Sequence, residues 1–291
     1  ALMAPLLMLA VAWVIRRSLA PVQRMRSQVA SRAADDLSPL DTQGLPDEVR
    51  PLVQELNLLF DRVQRAFDAQ KSFVADAAHE LRSPLTALRL QAQTLRRTHL
   101  GSDEASRDLA VQRLNQGIDR AIALVEQMLV LARQEAQGSQ AHAATPVDLQ
   151  ALVRDGITAV LPQAQARGID LGLLEGDAVV VQGSPDGLHI LLRNLLDNAI
   201  KYTPEHGQVD VELRRDGTVP VLAVDDSGPG LDEEGRARAF DRFYRAADAA
   251  ASGSGLGLAI VKAIADQHGA TVQLLPSSQL GGLRVEERFA G

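Results

Sequence analysis

The hydrophobic and polar positions of this chain change rhythm several times. Residues 1–15 (ALMAPLLMLAVAWVI) are apolar throughout and end at Arg16 and Arg17. A bilayer crossing takes about 20 apolar residues, so this run reads as a transmembrane helix cut at its start, the arginine pair marking its cytoplasmic side. A buried core helix is the alternative. A mixed helical stretch with Pro21 follows, then a loop-like segment from Ala34 to Pro46 holding Asp35, Asp36, Pro39 and Gly44. Pro46, Asp47 and Glu48 look like a helix start, with acids favoured in the first turn. Val49, Leu52, Leu56, Leu59, Val63 and Ala66 then recur at threes and fours, a seam continued by Phe73, which predicts one helix from about Asp47 to His99. Gly101 and Ser102 break it. A second helix carries the seam Leu114, Ile118, Ala121, Val125, Met128 and Ala132, and the pair makes a helical hairpin. Each helix buries only one stripe, so a homodimer closing a four-helix core is the simplest arrangement; a hairpin docked on the following domain is the other.

Residues 137–146 (QGSQAHAATP) are small, polar and rich in breakers, as a linker is. Beyond them the texture becomes that of an α+β two-layer sandwich. Helices are expected over Val147–Ala166, Leu188–Ile200 and Leu256–Gln267. Strands are expected over Ile169–Leu174, Ala178–Val181, Val209–Arg214, Val219–Val224, Thr271–Leu275 and Leu283–Phe289.

Composition narrows what such a chain can do. Of 291 residues 46% are hydrophobic, enough for packed cores; Lys plus Arg is 30 against 37 acids, a net charge of −7, which argues against nucleic acid as the main ligand. Cysteine is absent, which excludes disulfides, thiol nucleophiles and thiolate zinc sites together.

Three groups of residues can carry chemistry. On a wheel of about 100° per residue, Ala77 and Leu81 share the buried stripe of the first hairpin helix, and His79 points away from it. Glu80 stands beside the imidazole, Ser83 lies one turn on, and Pro84 removes a backbone bond. A carboxylate that holds one ring nitrogen protonated leaves the other free as a nucleophile, although a solvated helix face carries the same residues. The zinc-protease pattern HExxH fails because position 83 is Ser. Second, Asn194, Asn198 and Lys201 share one face of a helix whose Leu191, Leu195 and Ile200 face a core. Two amide oxygens and a cation suit Mg²⁺ bridging a polyphosphate, and equally a polar solvent face. Third, Asp226-Ser227-Gly228-Pro229-Gly230 follows a strand and Gly253-Ser254-Gly255-Leu256-Gly257 opens a helix, where backbone N–H groups approach phosphate. No Gly-Lys pair makes a Walker loop, and Leu258 spoils a GxGxxG match. Asp226 could accept a bond from an exocyclic amine or cap a turn. Phe240 and Phe243, with Arg245 nearby, flank a segment from Ala246 to Ser252 that could act as a lid, the phenylalanines also fitting a core.

In this order and spacing the groups resemble a membrane-bound bacterial sensor histidine kinase of a two-component system, over nearly the whole chain. His79-Glu80-Leu81-Arg82-Ser83-Pro84 looks like the family's phosphoacceptor box, Asn194–Tyr202 its asparagine box, and Asp226–Gly230 and Gly253–Gly257 its two glycine boxes. Phe240–Phe243 looks like its phenylalanine box, and Arg16 to about Ala69 is similar to a HAMP signal-transfer module through Pro21, Glu48 and the seam. The resemblance implies a truncated transmembrane helix at 1–15, a HAMP-like segment at 16–69, a dimerisation and phosphoacceptor domain at 70–136, a linker at 137–146 and a Bergerat-type ATP-binding domain at 147–291. It implies ATP and Mg²⁺ as cofactors and His79 as phosphoryl acceptor with Glu80 as acid/base partner. Asn198 and Asn194 would hold the metal, Lys201 and Tyr202 would contact the nucleotide, and Asp226 would read the adenine amine; Gly228, Gly230, Phe240, Phe243, Gly253, Gly255, Leu256 and Gly257 complete the nucleotide set. A cognate response regulator, a second copy of the chain and the bacterial inner membrane would be its partners, with residues from about 16 onward in the cytoplasm and no nucleic acid. Ser83 stands where the family often has Thr or Asn to support dephosphorylation of the regulator, so a protein acting mainly as a phosphatase is the alternative, and a nucleotide-binding scaffold a further one.

Overall fold

The computed structural model describes residues 3–5, 7–9, 11–13, 16, 20, 23, 31, 36–43, 45–47, 49–98, 104–137, 145–174, 176, 178–246 and 253–290. Arg17, Pro21, Asp35, Gly44, Glu48, the hairpin turn at 99–103, the linker body at 138–144 and the lid segment at 247–252 lie outside the described residues. Residues 3–5, 7–9 and 11–13 are helical, with Met3, Leu7, Met8, Leu9, Val11 and Trp13 exposed. Among the described residues no helix is long and apolar enough to cross a membrane.

The chain divides into two compact units, residues 1–78 and 79–291. The first holds the start of helix α1 (Arg50–Thr98) and a connector packed on it. Leu40 and Leu45 of the connector bury against Val53, with Val49, Leu56 and Phe60 half-buried around them. Asn57 fixes this contact by accepting the Leu40 N–H at 2.7 Å and donating to the Leu40 carbonyl at 3.0 Å. The seam therefore differs from the expected one. Val49, Leu56 and Val63 do turn inward, but Leu52 is 70% exposed and Leu59 is exposed too, because the connector covers the arc of Val53 and Phe60, one residue on.

In the second unit α1 continues and α2 (Glu104–Gln137) packs beside it. Pro84 sits inside α1 without ending it. Leu114, Ala121 and Met128 of the expected α2 seam are inside, joined by Gly117, Leu124 and Leu131, whereas Ile118 and Val125 are exposed beside Ile122 and Leu129. Gly117 permits the close approach: a Cβ there would lie 2.7 Å from Gln91 Oε1 and 2.8 Å from Leu88 Cδ2.

The remaining elements run β1 (Thr145–Asp148), α3 (Leu149–Ala166), β2 (Asp170–Leu173), β3 (Val180–Gly183), α4 (Pro185–Tyr202), β4 (Gln208–Asp216), β5 (Val219–Asp226), α5 (Glu233–Arg238), α6 (Gly257–Gln267), β6 (Thr271–Pro276) and β7 (Leu283–Arg288). Two differ from expectation. Thr145 and Pro146, read as linker, join Val147 and Asp148 in a short strand antiparallel to β3, and Asp148 instead caps α3 through the Gln150 and Ala151 N–H groups. α5 lacks an apolar period and starts on an Asp232 cap. The five-stranded sheet has the order β2-β4-β5-β7-β6, with β2 parallel to β4 and every other pair antiparallel. Helices α3, α4 and α6 cover one face, giving the expected α+β two-layer sandwich. Alternation does the sorting: Val209, Val211 and Leu213 face the helices, while Glu212 and Arg214 join Asp225, Arg284, Glu286 and Arg288 in an ion-pair network on the other side. Glu287 breaks the rule. It is fully buried between Leu222 and Val272, and neither carboxyl oxygen has a partner.

Candidate functional site

Helix α4 carries the asparagine face because its ends are well specified. Ser184 accepts the Gly187 N–H, Pro185 fills the first turn, and Leu188, Leu191, Leu192, Leu195 and Leu196 bury the opposite stripe. Asn194 and Asn198 are left half-buried at the cleft wall. Asn194 Nδ2 donates to the Ile190 carbonyl at 2.8 Å, which leaves its oxygen available. Asn198 lies against Gly257, where a Cβ would sit 2.8 Å from its Nδ2 and 3.1 Å from its Oδ1. At the helix end Lys201 Nζ donates to Tyr202 Oη at 3.1 Å and stands 4.5 Å from the centre of that ring. Gly253 passes so close to the Lys201 ammonium that a side chain there would collide with it.

Asp226 ends β5 and is buried. Its Oδ1 accepts the N–H groups of Gly228 at 2.8 Å and Leu283 at 3.2 Å, which leaves Oδ2 for a ligand donor. Burial pushes this carboxyl above the usual aspartate range, the two N–H groups oppose that, and neighbouring Asp225 adds to it. Asp197, on α4, is likewise raised by burial against the pull of Arg193, 3.6 Å away.

The second glycine loop is shaped by strain. Gly255 has φ 71° and lies where a Cβ would meet the Phe243 backbone at 2.6 Å; its carbonyl accepts the Phe243 N–H, and Phe243 itself takes φ 61°, an unusual value for a bulky residue. Beyond the loop α6 starts at Gly257 with no side-chain cap, so its first-turn N–H groups can receive an anion.

These parts enclose a cleft of about 1370 Å³. Of the residues singled out from sequence, the cleft brings together Glu80, Ser83, Asn194, Asn198, Lys201, Tyr202, Asp226, Gly230, Gly253, Gly255 and Gly257. The other five stand outside its wall. Gly228 is spent on Asp226, Leu256 is fully buried under α6, and Phe240 and Phe243 are half-buried supports, Tyr244 taking the wall position instead. His79 lies on the open face of α1, its side chain 79% exposed, with Nδ1 3.7 Å from Glu80 Oε1. Sequence reasoning missed Gln127, Arg167 and Arg193, all in the wall. Gln127 of α2 accepts from Ser254 Oγ at 2.6 Å, tying hairpin to glycine loop, and no sequence signal marks it. Arg193 is four residues before Asp197, and Arg167 precedes a glycine at a helix end, both visible patterns.

Residues 19–65 match the HAMP domain of PhoQ-like sensor proteins, residues 69–137 the His Kinase A (phospho-acceptor) domain, and residues 183–289 the histidine kinase-, DNA gyrase B- and HSP90-like ATPase family. The chain is 39% identical to the sensor protein QseC of Salmonella typhi over 286 residues, 98% of this chain and 62% of that protein. It is 32% identical to the sensor protein BasS of Escherichia coli K12, over 94% of this chain and 73% of that one. The Acinetobacter baumannii histidine kinase AdeS shares the fold, with a TM-score of 0.59 and 24% identity over 73% of this chain and 97% of that one. The chain thus spans about three fifths of the length of the QseC relative. With a HAMP segment, a phosphoacceptor hairpin and an ATPase-type sandwich in that order, the chain belongs to the sensor histidine kinase family.

Proposed function

We propose that this chain autophosphorylates His79 from MgATP and passes the phosphoryl group to an aspartate of a response regulator. The observation that carries the reading is the shared cleft: Glu80 and Ser83 of the hairpin line the same space as Asn194, Asn198, Lys201, Asp226 and the glycine loop. Asp226 accepts the adenine amine through Oδ2, and the cationic end of Lys201 and the N–H groups of α6 neutralise phosphate. The amide oxygens of Asn194 and Asn198 are the hard donors that suit Mg²⁺. Bound there, the ion would neutralise charge on the β- and γ-phosphate oxygens.

His79 attacks the γ-phosphorus with Nε2. The Nε2–P bond forms as the bond to the bridging oxygen breaks and ADP leaves, and Glu80 takes up the proton that turns acidic on Nδ1. The hairpin pairs with a second copy, residues 1–15 anchor the chain in the inner membrane, and residues from about 16 onward lie in the cytoplasm. We assign the segments 16–69, 70–136 and 147–291 to signal transfer, phosphoacceptor and ATP-binding roles. Incubation of the chain with γ-labelled ATP and Mg²⁺ should give acid-labile, alkali-stable label that His79→Gln and Asn198→Ala both lack. Label retained by His79→Gln would remove His79 as the acceptor.

A further inference from the structure

Arg167 sits where two helix ends meet. It is the residue after α3; Gly168, at φ 63°, turns the chain away, and the Arg167 N–H returns to the Ala164 carbonyl. Its side chain crosses to the C-terminal end of α4. There Nη1 donates to the Ile200 carbonyl and to that of Lys201 at 3.1 Å, and Nη2 donates to that of Thr203 at 2.8 Å. These carbonyls have lost their intrahelical donors, and a helix C-terminus carries partial negative charge, so a guanidinium satisfies both needs at once. Among the described residues Arg167 makes no ion pair, which leaves its charge to these carbonyls. Its own carbonyl accepts the His206 N–H at 3.2 Å, so the segment leaving α4 is held at both its beginning and its turn.

The last turn of α4 displays the two side chains, Lys201 and Tyr202, assigned above to the nucleotide. We propose that Arg167 is a positioning residue for ATP: by bridging three terminal carbonyls of α4 it fixes where Lys201 and Tyr202 stand in the cleft. The inference rests on the nucleotide reading of that cleft. It does not need Arg167 to touch the ligand, because all three of its donor bonds go to backbone. Lysine at this position would keep the charge but not the planar fork that spans three acceptors.

The test is MgATP affinity of the full chain for the parent, Arg167→Gln and Arg167→Lys, each repeated in a Lys201→Met background. Arg167→Gln should weaken binding about tenfold, with kcat of autophosphorylation changed less than about twofold, since a misplaced contact group costs binding rather than chemistry. Arg167→Lys should keep the melting temperature and still lose most of that affinity, so a folding defect in the glutamine variant does not decide the matter. In the Lys201→Met background the further loss should be clearly smaller than in the parent, because one of the two contacts being positioned is already gone. Equal losses in both backgrounds, or parent-like affinity in both Arg167 variants, would overturn the positioning role while leaving the nucleotide site intact. A parent chain that binds no ATP would instead overturn the nucleotide reading and this inference with it.

Discussion

Single residues carry the sharpest energetic consequences, and Glu287 is the clearest. It lies on the helix-facing side of β7 among apolar neighbours, and burial alone raises its pKa to about 8. The acid is therefore protonated in the folded chain over a range where the unfolded chain is ionised. The sign follows from the raised folded-state value: its contribution to stability is complete below the ordinary glutamate value of 4.5, declines as pH rises, and is lost above about 8. Denaturant unfolding between pH 5 and 8.5 should show the parent losing stability more steeply than Glu287→Gln. Parallel slopes would mean that the carboxyl is not neutral in the fold. At this scale the sequence was partly readable. Asn194, Asn198, Lys201 and Asp226 could be picked out because their spacing and the strand before Asp226 set their direction. The places of Phe240 and Phe243 could not, since the left-handed turn at Phe243 comes from the backbone bond to Gly255, 12 residues away, and it presents Tyr244 instead.

At the level of elements, long periodic segments were legible, and so were the short strands β2 and β3, but two short elements were not. The sequence expectation of α1 from Asp47 to His99 meets an observed helix at Arg50–Thr98. β1 and α5 escaped because four and six residues are too few for a hydrophobic period to repeat often enough to stand out. The seams were read as single stripes when two partners compete for each helix. Connector residues Leu40 and Leu45 claim one arc of α1, and Gly117 draws α2 onto Leu88 and Gln91 along an arc that leaves Ile118 and Val125 outside. Gly117 is therefore a test of hairpin geometry. Gly117→Val should destabilise the hairpin by about 1–3 kcal/mol through overpacking against Leu88, read as an earlier loss of helical circular dichroism on heating. Gly117→Ala should fall between it and the parent.

For the molecule as a whole, the exposed row Leu109, Ile118, Ile122, Val125 and Leu129 is the feature that asks for a second chain. If the hairpin pairs as proposed, Ile122→Asp should convert that dimer to a monomer in sedimentation measurements while leaving MgATP affinity unchanged, since Ile122 lies outside the cleft wall. An unaltered dimer would put the pairing surface elsewhere.

The charges of the cleft wall set a further condition on the whole molecule. Six cations, from Arg120, Arg167, Arg193, Lys201, Arg238 and Arg245, stand there against five carboxylates, in a chain whose net charge is −7. A polyphosphate approaching from far away is repelled by the acidic body, and only near the mouth does it meet attraction. The reach of that repulsion is set by salt, with a screening length of about 8 Å at physiological ionic strength. In dilute buffer the far field governs capture, whereas in cell-like salt the local charges of the wall decide it. Moderate salt thus speeds nucleotide entry before higher salt slows it, an inversion of the trend that a uniformly basic binding surface would give.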